Sequence, residues 1–403
     1  MLETLLFIGV CVGSYFIVVP RRSLIAFWRY LLAVLGILMF FAFWMGAIGI
    51  PANLWTFSAV FAGITAVVAY LKFGMKQWLD LLDEGCEDLK EDRWNVIFPL
   101  MAFGAAVIVG LVYLASDFSV PQYVSPDPTV HYLLGKKFLE DDMLQFFSRS
   151  IFFPDSVNIH TYPYGSAMMA GLWMEITGFI DDLLSYQLFN VLTFAFVNGY
   201  GFYVLKKIFK VKNLLVGAAL LIMMTLGFYL NLLIIGFTSQ LTGLLFLFLA
   251  IDVYASYSWS WKKVALLGLA MGGVMMTYFY WIGYIVFFIL IDNLHLLDWR
   301  SFQSNKRSIG FLLATVGMFL FFSAHYFYMI FSSTILGVIV VSDGLAYKVF
   351  LGNFIFFVPF LLTYVWVRGK NFPKWKAYGF QLLASGLIFT GILAVFYKLH
   401  KLE

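Results

Sequence analysis

The chain has 403 residues, of which 62% are hydrophobic and only 12% charged, and its formal net charge is +4. A water-soluble domain carries about 25% charged residues, so a soluble enzyme, a nucleic-acid binder and a disordered chain are excluded as readings of the whole. The aromatic share of 20%, dominated by 46 Phe, fits lipid surroundings, and function has to be sought in the few stretches that are not apolar.

The opening run, MLETLLFIGVCVGSYFIVVPRR, places its positive charges after the apolar stretch instead of before it. It therefore reads as a retained first membrane helix and not as a secretory leader. A crossing helix needs about 17–25 apolar residues, and the chain offers such runs at 4–19, 24–48, 55–71, 95–115, 184–205, 213–231, 234–256, 309–331, 350–367 and 378–397. The two cysteines, Cys11 and Cys86, form neither a metal-ligand spacing nor a disulfide framework.

The basic residues fix the orientation. Arg21, Arg22 and Arg29 follow the first run; Lys72, Lys76, Lys90 and Arg93 follow the third; Lys206, Lys207, Lys210 and Lys212 follow the fifth. Lys262, Lys263, Arg300, Lys306, Arg307, Arg368, Lys370, Lys374 and Lys376 complete the set. Simple alternation brings these to one side, which the positive-inside rule makes cytoplasmic. Residues 264–291 lie between two basic loops, so they must leave and return as a pair of short or tilted helices turning near Trp281–Gly283. Gly268-x-x-x-Gly272 on that segment has the spacing for close helix packing. Residues 164–180 are apolar but short, and are expected to lie in or dip into the outer face.

The expected fold is thus all-α: a polytopic transmembrane bundle of about ten crossings with short re-entrant or juxtamembrane helices. Residues 1–71 form N-terminal transmembrane helices, and 72–94 an acidic amphipathic helix on the cytoplasmic side. Residues 95–300 form a core with an extracytoplasmic loop at 116–165, and 301–403 form C-terminal transmembrane helices.

The long loop carries the chemistry. It holds Pro121, Pro126, Pro128, Pro154 and Pro163, half of the chain's ten prolines. A loop of this length in a compact protein is usually functional or disordered, and its aromatic content argues against disorder. Asp127 lies between two prolines that restrict its backbone. Pro128 suits the first turn of a helix with Asp127 as its cap, and His131, Tyr132 and Gly135 follow at helical spacing. As bland alternatives, Asp127 is only a helix cap and His131 only packs. Asp155, His160, Tyr162 and Tyr164 form a second polar and aromatic cluster before the 164–180 segment.

The Asp127-Pro128-x-x-His131-Tyr132 run, followed by Tyr162-Pro163-Tyr164-Gly165 opening an apolar helix, resembles the GT-C glycosyltransferases. These are polytopic enzymes that use lipid-phosphate-linked sugars. The resemblance covers about residues 115–300. Here the loop follows the fourth helix instead of the first, and the Trp-Trp-Asp run that reads peptide sequons is absent.

What the resemblance implies is transfer of a sugar from a polyprenyl-phosphate donor to an extracytoplasmic glycan or lipid acceptor. Asp127 would be the general base, and Arg149, Lys348 and His325 the donors to the leaving phosphate. His131, Tyr132, Asp155, His160, Tyr162, Tyr164 and Gln240 would contact substrate, with Gln187, Asn190 and Ser239 lining the same cavity or serving as interhelical contacts. No cofactor is required by the sequence. A divalent cation on Asp127, Asp155 or His160 fits the residue types, although their spacing defines no site. The expected partners are the donor, the acceptor and membrane lipids, with no nucleic acid. The expected location is a bacterial plasma membrane, since the outer loops show no N-glycosylation sequon. A transporter or flippase of lipid-linked saccharides, or a non-catalytic scaffold, stays open beside the enzyme.

Overall fold

The computed structural model describes residues 2–19, 23–47, 50–51, 53–74, 94–116, 131–136, 164–209, 214–293 and 306–332. These residues are helical with short connections. The helices are α1 (Leu2–Val18), α2 (Leu24–Ala47), α3 (Leu54–Gly74), α4 (Trp94–Leu114), α5 (Gly165–Ile176) and α6 (Asp182–Phe209). They continue with α7 (Leu214–Leu226), α8 (Phe228–Ile235), α9 (Thr238–Ser256), α10 (Trp261–Tyr278), α11 (Ile282–Asp292) and α12 (Lys306–Ser332). Residues 131–136 form a further helical segment.

Six helical stretches among these residues are long and apolar enough to cross a membrane, one of them running through α7 and α8. Exposed Ile108, Val112, Ile222, Leu226, Leu313 and Phe321 present apolar side chains outward, as lipid contact requires. The runs 350–367 and 378–397, and nearly all of the acidic 72–94 segment, lie outside the described residues.

The contacts between helices follow the alternation read from the sequence. In α4 and α6, Gly110 lies against Val191 and Gly199 against Phe103, an antiparallel pairing. Trp55 of α3 donates to Glu3 of α1, so those two helices start at the same end. Gly36 of α2 lies against Leu269 of α10, and further along the two helices Met39 and Met276 both meet Gly165, a parallel pairing. The outcome is one basic end. Arg29, Lys207 and Asp252 meet there, and Arg307 sits over Phe311, which stacks on Trp259.

In two segments the structure adds detail to the sequence reading. The break after α8 falls at Gly236, whose φ of 77° is left-handed and ends the helix. Its N–H donates to Leu233 O, and the N–H of Phe237 donates to Leu232 O. Of the two placements open to 165–176, lying in the outer face or dipping into it, burial suits the second: α5 is largely buried and packs on α2, α6, α9 and α10. Gly165 makes this possible, because a Cβ there would stand 2.5 Å from Met39 Sδ and 2.8 Å from Met276 O. The out-and-back pair at 264–291 is present as α10 and α11, joined by a 3₁₀ turn at Phe279–Trp281. At about 1.5 Å per residue, the 11 residues of α11 span about 16 Å, short of a full crossing.

Candidate functional site

The centre of the bundle is α9, buried along nearly its whole length. Residues 243–251 of this helix are all apolar. Its polar side chains therefore collect in two places, around Thr238–Thr242 at one end and around Asp252–Ser256 at the other. Ser239 and Asp252 are about 20 Å apart along the axis at the helical rise.

The far end, away from the basic residues, holds the sequence-predicted site residues that the structure describes. His131 lies in the 131–136 helical segment and is 2% exposed. Its Nε2 lies 3.5 Å from Ser239 Oγ. Burial lowers the imidazole pKa to about 4, so the ring is neutral near pH 7 and acts through hydrogen bonds instead of as a cation.

Small residues let this segment approach α5. A Cβ on Gly135 would stand 3.0 Å from Met174 Cε and 3.4 Å from Ala167 O. Tyr132 meets the ring of Tyr186 edge-on at 5.7 Å. Tyr186 and Thr238 share a hydrogen bond of 2.8 Å, and Thr238 donates to Asn190 Oδ1 at 2.8 Å. Next along α9, Gln240 Nε2 donates to Tyr278 OH at 3.0 Å, while Trp281 Nε1 donates to the Gln240 carbonyl at 3.2 Å. The result is a continuous set of neutral donors and acceptors drawn from the 131–136 segment, α6, α9, α10 and the 3₁₀ turn.

Tyr164 is also brought here, but it is 1% exposed. Its hydroxyl donates to Met39 O at 3.1 Å and lies 3.3 Å from Met276 Sδ. In this position it pins the start of α5 to α2 and α10. Glu175, at the other end of α5, accepts from the N–H of Leu54 at 3.4 Å. Burial raises its carboxyl pKa, the Leu54 hydrogen bond opposes that rise, and nearby Glu3 adds to it.

Asp127, Arg149, Asp155, His160, Tyr162 and Lys348 lie outside the described residues. His325 falls within α12, with its side chain outside what is described. The structure thus brings together His131, Tyr132, Tyr164 and Gln240 of the sequence-predicted set. Among the described residues, no three His, Cys, Asp or Glu side chains converge as a metal site would require, and the residues named for a divalent cation are not among them.

Sequence reasoning missed the polar cluster at the basic end. Asp252 has no side-chain exposure and faces Arg29 and Lys207. An Asp in the last turn of an otherwise apolar helix was the available signal, because an ionisable residue at such a place needs a partner.

The described part of the chain is thus a polytopic helical membrane protein with two separated polar centres. No protein family, curated protein or solved structure matches the chain.

Proposed function

We propose that the protein is a GT-C-type membrane glycosyltransferase that moves a sugar from a polyprenyl-phosphate donor to an extracytoplasmic glycan or lipid. The observation that carries this reading is the neutral polar centre at the far end, where buried His131 meets Ser239. Asp127 is four residues before His131, so chain length alone limits their Cα separation to about 14 Å. A general base and a hydrogen-bonding surface for sugar hydroxyls are then available to one substrate.

In the proposed step, the Asp127 carboxylate takes the proton of the acceptor hydroxyl. The hydroxyl oxygen attacks the anomeric carbon, and the bond from that carbon to the phosphate oxygen breaks. Polyprenyl phosphate leaves with the electron pair, its charge met by Arg149, Lys348 and His325. General-base assistance of this kind contributes about 10²–10⁴-fold. Tyr132, Gln240 and Tyr278 supply an aromatic edge and donors suited to a sugar ring. The apolar middle of α9 favours an enzyme over a transporter, which needs polar groups along its path.

The test is release of polyprenyl phosphate by purified protein in detergent, where there is no second leaflet. The natural sequence is expected to turn over a polyprenyl-phosphate sugar with an acceptor, and Asp127→Asn to lose turnover with its melting temperature unchanged. Full activity in Asp127→Asn removes that carboxylate from the reaction. Absence of release with every donor and acceptor favours the flippase or the scaffold.

A further inference from the structure

The basic end of the bundle is built around a carboxylate that is fully engaged. Asp252 accepts from Arg29 Nε at 2.6 Å, Arg29 Nη2 at 2.9 Å, Tyr200 OH at 2.8 Å, Ser256 Oγ at 2.7 Å and Lys207 Nζ at 3.3 Å. A carboxylate has about four lone-pair sites, so these donors saturate it. Arg29 is not used up in the same way. Its Nε and Nη2 face Asp252, and Nη2 also reaches Ser256 Oγ at 3.3 Å. The remaining nitrogen, Nη1, takes no part in these bonds.

The Arg29 and Lys207 side chains are each 19% exposed, while Asp252 behind them is 0% exposed. The guanidinium also lies over the Tyr257 ring at 5.6 Å, and Lys262 Nζ approaches the same ring at 5.5 Å. Lys206 sits 4.9 Å from the Phe98 ring. A buried carboxylate thus clamps a partly exposed arginine, with Lys207 on the same carboxylate and Lys262 on the same tyrosine ring. Tyr203, Trp259 and Trp261 ring this end, as aromatic side chains do at the headgroup level of a membrane.

We infer that Arg29 and Lys207 form a binding site for the phosphate of an anionic lipid headgroup in the cytoplasmic leaflet. Asp252 fixes the guanidinium through Nε and Nη2, which leaves the Nη1 donors and the guanidinium charge for a ligand. Arginine is weakly hydrated and always charged, which suits it to phosphate, and basic pockets between membrane helices on the cytoplasmic side take up such headgroups. The depth selects a lipid over a soluble anion, because Arg29 lies in the second turn of an apolar helix, inside a stretch long and apolar enough to cross a membrane. This site is about 20 Å from the far-end centre along α9 and does not depend on the transferase reading.

The test is native mass spectrometry of the purified full chain with phosphatidylglycerol and with phosphatidylcholine of the same acyl chains. Phosphatidylglycerol is expected to bind at least about fivefold more tightly, the effect of one cation near a headgroup. Lys207→Gln keeps the two Arg29–Asp252 hydrogen bonds and is expected to lower that preference about fivefold. Arg29→Lys keeps the charge, removes the two-point clamp on Asp252 and the Nη1 donors, and is expected to lower it as well. Lys136→Gln, at the far end, is the control and is expected to leave it unchanged. Equal binding of the two lipids, or the natural preference in both Lys207→Gln and Arg29→Lys, overturns the proposal. Inorganic phosphate displacing phosphatidylglycerol at similar concentration overturns the lipid assignment in favour of a free anion.

Discussion

Arg29 and Asp252, 223 positions apart in the sequence, meet through two parallel N–H···O bonds that join α2 to α9. Tyr200 and Lys207 add α6 to the same carboxylate. Breaking a buried pair by removing one partner costs about 3–5 kcal/mol, whereas replacing both with apolar groups is often neutral. Asp252→Leu removes the acceptor shared by Arg29, Lys207 and Tyr200 and is therefore expected to lower the melting temperature in detergent sharply. Arg29→Met leaves Lys207, Tyr200 and Ser256 on the carboxylate and is expected to cost less. Equal losses in the two variants would show that the Arg29 pair alone, and not the shared acceptor, sets stability.

The second prediction concerns α10 and α12. A Cβ on Gly268 would stand 2.5 Å from Met318 Cβ, and one on Gly272 would stand 2.7 Å from Phe322 Cβ. Gly268→Ala is expected to force the helices apart and cost about 1–3 kcal/mol, as overpacking does. Gly310→Ala, on α12 where nothing lies within 4 Å, is expected to stabilise by up to about 1 kcal/mol through backbone entropy. Thermal melting of the two variants side by side checks both signs.

These two cases show what the sequence could disclose. The Gly268-x-x-x-Gly272 spacing announced close packing, but spacing names a face and not the neighbour, and the neighbour proved to be α12. Alternation of apolar runs and basic loops placed Arg29, Lys207, Lys262 and Arg307 at one end, and the contacts assemble that end. What hydropathy did not disclose was Asp252, because one carboxylate barely alters the mean of an apolar run. Nor did it choose between 165–176 lying in the outer face and dipping into it, since a short apolar run suits both until Gly165 meets Met39. At the far end, helical spacing after Pro128 placed His131, Tyr132 and Gly135 correctly on a helical segment. Their partners on α6 and α9 required the fold.

His131 gives a pH prediction. Its pKa is lowered from 6.5 to about 4 by burial, so between those values the unfolded chain binds a proton that the folded chain refuses. Stability is then expected to fall as pH drops from about 6.5 to about 4 and to level off below. The total is about 3 kcal/mol at one unit per 1.36 kcal/mol. Glu175, whose carboxyl is raised, works in the opposite sense: its protonated form is favoured by folding, so it adds stability as pH falls. His131→Asn isolates the histidine. Melting curves from pH 7 to pH 4 should be steeper for the natural sequence than for this variant, and identical slopes would mean that the ring is protonated while folded.

Tyr164 separates a structural role from a substrate role. Its hydroxyl donates to Met39 O from a fully buried position; that carbonyl keeps its own helical partner within α2, so losing the hydroxyl costs about 0.5–1.5 kcal/mol, the net worth of one hydrogen bond. Tyr164→Phe keeps the ring and the volume and removes only that donor. The expected result is a lower melting temperature with the proposed sugar transfer, per folded molecule, unchanged, because the start of α5 loosens while the His131–Ser239 contact stays. Activity and stability are measured on the same preparation, with activity read below the melting range. An unaltered melting temperature together with lost transfer would instead put the hydroxyl on the substrate, and the anchoring of α5 would then rest on the close approach of Gly165 to Met39 and Met276.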